Sequence, residues 1–350
     1  MSIVINPKSA SDGTFSKVSV PVAVLGAGSF GTCLAMLCSR NGEVRLWTRN
    51  EAAVEWMDRE RCNPRHLSDL HLPENIQPTS DLKAALQGAE LVLVAVPSHG
   101  LRGVLQEAAH WIKPGAIVLS CAKGIEFETG LLMHQIMEEV LPAEHRPRIA
   151  GLSGPSFARE IAERRPTVVT IACREVAYAI AVQTTLSCPW FRCYSSDDMV
   201  GVEVGGALKN VIAIAVGMSD GMGMGTNTRA ALMTRGLTEI TRLAVAMGGK
   251  AETLGGLSGM GDLVLTCTGD LSRNRRVGLG LGEGRELDAI VEEIGEVAEG
   301  VRTTRAACRL AERLGVELPI AEHVRRVLDG EMTPKEAGRA LMTRQLGSES

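Results

Sequence analysis

An apolar run, Val20-Pro21-Val22-Ala23-Val24-Leu25, ends in Gly26-Ala27-Gly28-Ser29-Phe30-Gly31, and the helix-forming stretch Thr32-Cys33-Leu34-Ala35-Met36-Leu37 follows. Strand, glycine turn and helix in this order leave few folds open to the chain. The pattern is the phosphate-cradling turn of a βαβ unit. Each glycine has its own task. Gly26 permits the tight turn, Gly28 lets a pyrophosphate approach the backbone, and Gly31 lets helix and strand pack closely. The first amides of such a helix lack intrahelical partners, and its dipole favours an anion.

The rest of the first half agrees. Val20–Leu25, Glu43–Thr48, Leu91–Val96, Ala116–Ser120, Arg148–Gly151, Thr167–Ala172 and Phe191–Tyr194 read as strands. Helical runs intervene near 29–40, 81–87, 99–110, 129–140 and 175–186. Leu91–Val96 is apolar throughout, as a parallel strand buried on both faces requires. Strands alternating with helices predict a mostly parallel, doubly wound sheet. Beyond about 195 the strands stop and helical stretches take over, at about 198–217, 227–247, 272–281, 299–314 and 318–328. The expected plan is therefore a tail at 1–17, an α/β domain at 18–195 and an all-α domain at 196–350. The glycine-rich stretch Gly217–Gly225 reads as a mobile loop between two helices.

Bulk properties exclude several classes. The chain has 350 residues, enough for two cores. A net charge of -4 argues against a nucleic-acid partner, which would need a basic stripe. No apolar run approaches the roughly 18 residues of a membrane span. The first 17 residues are polar and Ser-rich, unlike a secretory signal. The nine cysteines are scattered and never spaced Cys-x-x-Cys, and the seven histidines form no His-x-x-x-His pair. Neither a disulfide framework nor a metal site is indicated, Cys33, Cys38, Cys121, Cys173 and Cys308 read as small core residues, and a reducing cytoplasm fits. The oligomeric state stays open, with a homodimer among the options.

Several segments carry chemistry. At the end of the second strand the carboxylate that would hold a ribose 2′-hydroxyl is replaced by Thr48-Arg49-Asn50, and Arg49 suits a 2′-phosphate instead. Pro97-Ser98-His99 and Ala122-Lys123-Gly124 follow strands whose carboxyl ends face the ligand crevice. Lys123 there can meet a phosphate or a carbonyl oxygen. In Ser153-Gly154-Pro155-Ser156-Phe157-Ala158, Gly154 and Ser156 offer an amide and a hydroxyl, or the segment is simply a capped helix start.

In Glu203-Val204-Gly205-Gly206-Ala207-Leu208-Lys209-Asn210 the two glycines lie one helical turn from Lys209, on its face. Each costs roughly 1 kcal/mol against alanine in a helix, which implies close approach by a ligand or another backbone. Lys209 interrupts an apolar run, and a desolvated lysine is suited to general acid–base work. Asp262 lies in the apolar, glycine-rich Gly259-Met260-Gly261-Asp262-Leu263. Ser272 is a good N-cap, and Arg273 and Asn274 fall in the first helical turn, where an anion such as a phosphate belongs.

These motifs occur in an order that closely resembles the bacterial NAD(P)-dependent sn-glycerol-3-phosphate dehydrogenases. The quoted segments are joined by Gly-Asp-Leu-Val-Leu-Thr-Cys at 261–267, Ser-Arg-Asn-Arg-Arg at 272–276 and Glu-Gly-Val-Arg-Thr-Thr at 299–304. The resemblance covers about residues 20–330. It implies a Rossmann domain followed by a helical one, and NADH or NADPH as cofactor. It also implies dihydroxyacetone phosphate and sn-glycerol 3-phosphate as the substrate pair. By the same resemblance, Lys209 is the catalytic acid/base, Lys123 touches cofactor and substrate, and Gly154, Ser156, Asp262, Ser272, Arg273 and Asn274 contact substrate. Ser29, Phe30, Arg49, Ala158, Arg273, Val297 and Glu299 correspond to cofactor contacts, beside the glycines Gly26, Gly28 and Gly31. The family often carries Trp at the position of Phe30. The implied role is supply of glycerol phosphate for phospholipid synthesis in the cytoplasm.

Two other readings use the same residues. One is a reductase of an unphosphorylated oxo acid or imine, which the Arg273-Asn274 turn argues against. The other is a nucleotide-sensing regulator, which leaves Lys209 and Asp262 without a task.

Overall fold

The computed structural model describes residues 20–295 and 298–344. The expected tail at 1–17 lies outside the described residues. The chain divides into two compact units. The first runs through Lys123 and resumes over Met133–Val202, and the second comprises Gly124–Leu132 and the chain from Glu203 onward.

The first unit holds strands β1 (Val22–Leu25), β2 (Val44–Trp47), β3 (Ile76–Thr79), β4 (Leu91–Val94), β5 (Ile117–Ser120), β6 (Ile149–Ser153), β7 (Thr167–Cys173) and β8 (Phe191–Ser196). Its helices are α1 (Ser29–Ser39), α2 (Glu51–Glu60), α3 (Leu82–Leu86), α4 (Ser98–Ala108), α5 (Met133–Val140), α6 (Ala158–Ala162) and α7 (Val176–Leu186). The eight strands form one sheet in the order β3-β2-β1-β4-β5-β6-β7-β8. Every neighbouring pair is parallel except β6 and β7. All four residues of β1, β4 and β5 are buried, because helices cover both faces of a doubly wound sheet. The chain order reverses between β1 and β4, so the crevice at their carboxyl ends is the topological switch point. Gly26 follows directly on β1 at that place.

From Glu203 onward the described elements of the second unit are all helical. Helices α8 (Met199–Gly221), α9 (Thr226–Ala246) and α10 (Ala251–Leu254) are followed by a π-helical turn at Leu257–Gly261. Then come α11 (Asp262–Thr268), α12 (Arg273–Gly282), α13 (Leu287–Ile294), α14 (Glu299–Leu314), α15 (Pro319–Leu328) and α16 (Pro334–Met342). Residues 125–132 form a short hairpin, closed by the Ile125–Leu132 bridge, and Arg313 of α14 donates to the Thr129 carbonyl at 2.8 Å.

Several details differ from the sequence reading. The division falls after Val202, in the first turn of α8, rather than at 195. The sheet ends near 196, but the packing changes one helical turn later. The helix placed at 129–140 begins at Met133, because the preceding residues are spent on the hairpin. Gly217–Gly221 is the last part of α8 and not a loop; the turn is confined to the residues before Thr226. Cys308 is half-buried rather than a core residue. Helix α8 is also longer than the apolar runs suggested, with a mean hydropathy of 1.6 over an 18-residue window. That window is 94% buried inside the protein, as the central helix of a core would be.

Candidate active site

At the carboxyl end of β1 the three glycines serve three purposes. Gly26 takes a φ of +109°, and a Cβ there would lie 2.7 Å from the Ala95 carbonyl oxygen. A Cβ on Gly31 would collide with the carbonyl of Gly26. Nothing lies within 4 Å of the Cβ position of Gly28, so a ligand can approach the backbone there. No side chain caps the N-terminus of α1. The donor set therefore fits a pyrophosphate, which accepts hydrogen bonds from exposed amides.

Two residues that sequence reasoning missed brace this turn. Buried Asn63 donates through Nδ2 to the Ala27 carbonyl at 2.8 Å and to Thr32 Oγ1 at 2.9 Å. Its Oδ1 accepts from the amides of Arg65 and His66, each at 3.1 Å. His66 Nδ1 in turn lies 3.2 Å from Ser29 Oγ, in the first turn of α1. Phe30 packs half-buried against the core of the unit. Arg49, just past β2, is exposed and lies 3.6 Å from the Glu107 carboxylate.

A second cluster gathers around the carbonyl of Gly154. Lys123 Nζ donates to it at 3.1 Å and Ser156 Oγ at 2.8 Å. Gly154 has a φ of +133°, and a Cβ there would lie 3.0 Å from Val169 Cα on the neighbouring strand. Ala158 begins α6 and packs on the core. The sequence placed these residues at strand ends, and the fold brings Lys123, Gly154 and Ser156 to one point.

In the second unit Lys209 is 7% exposed and Asp262 is fully buried. Lys209 Nζ donates to Asp262 Oδ1 and, at 2.9 Å, to Thr266 Oγ1. Thr266 Oγ1 donates to the Asp262 carbonyl at 2.6 Å, one turn back on α11. A buried ammonium is tolerable only when paired and hydrogen-bonded, and this one is both. The close approach expected at Gly205 is made by a backbone. A Cβ on Gly205 would sit 2.5 Å from the carbonyl oxygen of Ser258, in the π-helical turn that leads into Asp262. Gly205 thus lets the turn carrying the carboxylate come down onto the helix carrying the lysine. Thr266 was missed because α11 was not recognised; Asp262 and Thr266 at i and i+4 were the signal.

The first turn of α12 lies against the same helix. Ser272 caps it, accepting from the Arg275 amide at 3.2 Å. Asn274 is buried; its Nδ2 donates to Asn210 Oδ1 at 3.0 Å and its Oδ1 accepts from the Gly300 amide at 2.9 Å. One side chain thereby ties α8, α12 and α14 together. Arg273 is exposed at the start of the helix, and Glu299 opens α14. Val297 lies outside the described residues. The crossing of α8 and α12 is made possible by glycine. Cβ atoms on Gly217 and Gly221 would strike the carbonyls of Arg275 and Leu279, and those on Gly278 and Gly282 would strike the carbonyls of Ile214 and Met218.

Among the described residues no group of three His, Cys, Asp or Glu side chains is arranged to hold a metal ion. An uncapped helix N-terminus at a sheet's switch point accepts a dinucleotide, and a buried, paired lysine can pass a proton. A chain that carries both has the equipment of an NAD(P)-dependent oxidoreductase. Residues 21–179 match the family model described as NAD-dependent glycerol-3-phosphate dehydrogenase N-terminus, and residues 198–339 match the corresponding C-terminus. The chain is 52% identical over 323 residues to the glycerol-3-phosphate dehydrogenase [NAD(P)+] of Anaeromyxobacter dehalogenans, covering 92% of this chain and 97% of that protein. The protein of the same name from Myxococcus xanthus is 51% identical over 328 residues, with 93% and 98% covered. The crystal structure of glycerol-3-phosphate dehydrogenase from Coxiella burnetii superposes with a TM-score of 0.88 at 40% identity, covering 93% and 99% of the two chains. The chain belongs to the NAD-dependent glycerol-3-phosphate dehydrogenase family.

Proposed function

We propose that Lys209 is the acid/base in an interconversion of dihydroxyacetone phosphate and sn-glycerol 3-phosphate. The observation that carries this reading is the buried Lys209–Asp262 pair. When bound, NADH or NADPH supplies the hydride that C2 of the ketone takes up. Lys209 gives the C2 oxygen its proton, and in the reverse direction removes it. Asp262 and Thr266 fix where the ammonium points, which matters because proton transfer needs heavy atoms within about 2.6–3.2 Å. Ser272, Arg273 and Asn274 hold the substrate phosphate at the N-terminus of α12, where the dipole and a guanidinium fork both favour it. Lys123, Gly154 and Ser156 hold the remaining substrate oxygens. Gly26, Gly28, Ser29, Phe30 and Gly31 seat the cofactor, with Ala158, Val297 and Glu299 as further contacts and Arg49 toward a 2′-phosphate.

The reading extends to a cytoplasmic enzyme that feeds phospholipid synthesis, and to a homodimer. The apolar outer stripe of α9, with Leu237, Thr241 and Val245 on its surface, supports the latter. Light scattering of the purified chain checks it, and a monomer at micromolar concentration would remove it. The test of the main reading is Lys209→Ala. General acid–base catalysis is worth about 10²–10⁴-fold, so turnover should fall by that factor while cofactor affinity stays unchanged. Turnover within about threefold of wild type would take Lys209 out of the mechanism.

A further inference from the structure

We propose that Asp220 is a positioning residue for the phosphate-binding turn, acting through Arg275. The inference rests on the reading of Ser272–Asn274 given above. Asp220 is the penultimate residue of α8, and its carboxylate is only 7% exposed. Oδ2 accepts from Arg275 Nε at 2.9 Å and Nη2 at 2.8 Å. Oδ1 accepts from Arg229 Nε at 3.0 Å and Nη2 at 2.8 Å. These donors fill the roughly four acceptor positions a carboxylate has, so its orientation is over-determined. Arg275 also reaches Asp270 at 3.2 Å, but that carboxylate is 97% exposed and holds little.

The need for such a clamp follows from the glycine crossing. Asn210 meets Asn274, Ile214 meets Gly278 and Met218 meets Gly282, so α8 and α12 run side by side in the same direction. Glycine faces let backbones touch but offer no side-chain ridges to fix register. Polar pairs supply what the ridges would. Asn210 and Asn274 pin one position, and Asp220 grips the long Arg275 side chain from another. Arg275 stands two residues after Arg273 in the same first turn, with its amide bonded to the Ser272 cap. Holding Arg275 by side chain and backbone therefore sets where α12 starts and where Arg273 projects. In this arrangement Arg229 and Arg275 both bind the carboxylate that aims the turn.

The experiment compares Asp220→Asn with Arg273→Ala in the full-length enzyme. Four quantities are read: kcat and KM for dihydroxyacetone phosphate, kcat/KM for unphosphorylated dihydroxyacetone, and the inhibition constant of inorganic phosphate. Asp220→Asn should raise the KM and the phosphate inhibition constant about tenfold, a typical coupling between neighbouring charged groups. Turnover should stay within about threefold, and dihydroxyacetone should react as before. Should Asp220→Asn fail to fold, Arg275→Lys serves instead. It keeps the charge and leaves the Asp220–Arg229 pair in place, and should give a smaller rise of the same kind. An unchanged or lowered KM would overturn the proposal, since unneutralised guanidinium charge would then matter more than position. Equal losses with both ketones would overturn it too, as a purely structural effect. If Arg273→Ala weakens phosphate inhibition and Asp220→Asn does not, only the role of Asp220 falls. If Arg273→Ala has no effect, the phosphate turn itself falls, and the role of Asp220 with it.

Discussion

Two of the glycine-rich regions of this chain put glycine to opposite uses. In the turn after β1, Gly28 faces open space. Along α8 and α12, Gly217, Gly221, Gly278 and Gly282 face another helix with no space at all. The first region keeps its backbone available to a ligand. The second uses up its backbone in packing, and the ligand contacts proposed for it come from side chains: Lys209 on one helix and Arg273 on the other. The spacing of glycines in a sequence does not separate these cases, and only the contents of the missing Cβ positions do.

The largest expected effect tests the packed region. Helix propensity predicts that Gly217→Ala gains about 1 kcal/mol. The contact with the Arg275 carbonyl predicts the opposite sign, a loss of about 3 kcal/mol, since backbone cannot move aside as a side chain can. Thermal melting decides between them. A more stable variant would mean that α8 and α12 have room between them, and the contrast with Gly28 would go.

The next effect compares helix N-termini. That of α1 has no side-chain cap, whereas that of α15 is closed by the protein itself. Glu239 of α9, 4% exposed, accepts from the amides of Ile320 at 2.7 Å and Ala321 at 3.2 Å. Burial pushes its carboxyl up from the usual 4.5 to about 7, against the pull of those amides and of Arg242 and Arg344. The folded state therefore holds this proton more tightly than the unfolded chain. Its contribution to stability is full below about pH 4.5 and is lost as pH rises through about 7. Between pH 5 and pH 8 the loss should be about 2 kcal/mol. Melting of wild type and Glu239→Gln across that range reads it. Parallel pH profiles would show that Glu239 does not titrate there.

Gly28→Ala is the mirror of Gly217→Ala. Gly28 has a φ of -72°, which alanine adopts freely, and its Cβ would meet nothing. Stability should stay within about 0.5 kcal/mol. Cofactor affinity, followed by nicotinamide fluorescence, should fall by about tenfold, or 1.4 kcal/mol. Unaltered affinity would mean that no pyrophosphate approaches that atom.

How far the sequence could be read follows the same division. β1 and β4 were legible because strands buried on both faces are apolar throughout, and β5 departs from that only at Ser120. β3 was not, since Gln77 and Pro78 break the pattern; the strand lies at the sheet edge, where proline is tolerated. α2 buries only Met57 and so shows no apolar stripe. Lys209 was legible as a charge within an apolar run, and Asp262 as a carboxylate within a glycine-rich one. Their partner Thr266, the brace Asn63 and the clamp Asp220–Arg275 were not, because each acts through a contact distant in sequence or on an unrecognised helix. Gly217–Gly221 was misread as a loop for a related reason. Its justification lies in Gly278 and Gly282, which are distant in sequence.

The smallest effect concerns Arg49, just past the carboxyl end of β2. Arg49 was expected to read a 2′-phosphate, an interaction worth roughly 1.5–3 kcal/mol when the pair is shielded. Its surroundings argue for less. Its side chain is 62% exposed and already lies 3.6 Å from Glu107, which is equally exposed. Its guanidinium stands 5.9 Å from the Trp47 ring. An exposed charge pair is worth about 0.2–1 kcal/mol and weakens with salt. Arg49→Ala should therefore weaken NADPH binding by only about two- to fivefold, and leave NADH binding unchanged. Glu107→Gln should act in the opposite direction, because it releases Arg49 from a competitor and removes a negative charge that repels the phosphate. Both shifts should shrink when salt is raised from about 0.05 M to 0.5 M, as the Debye length falls from about 14 Å to about 4 Å. Equal changes with the two cofactors, or a Glu107→Gln variant that binds NADPH more weakly, would show that Arg49 does not meet the 2′-phosphate. The first unit would then recognise its cofactor through the glycine turn and its braces without this side chain.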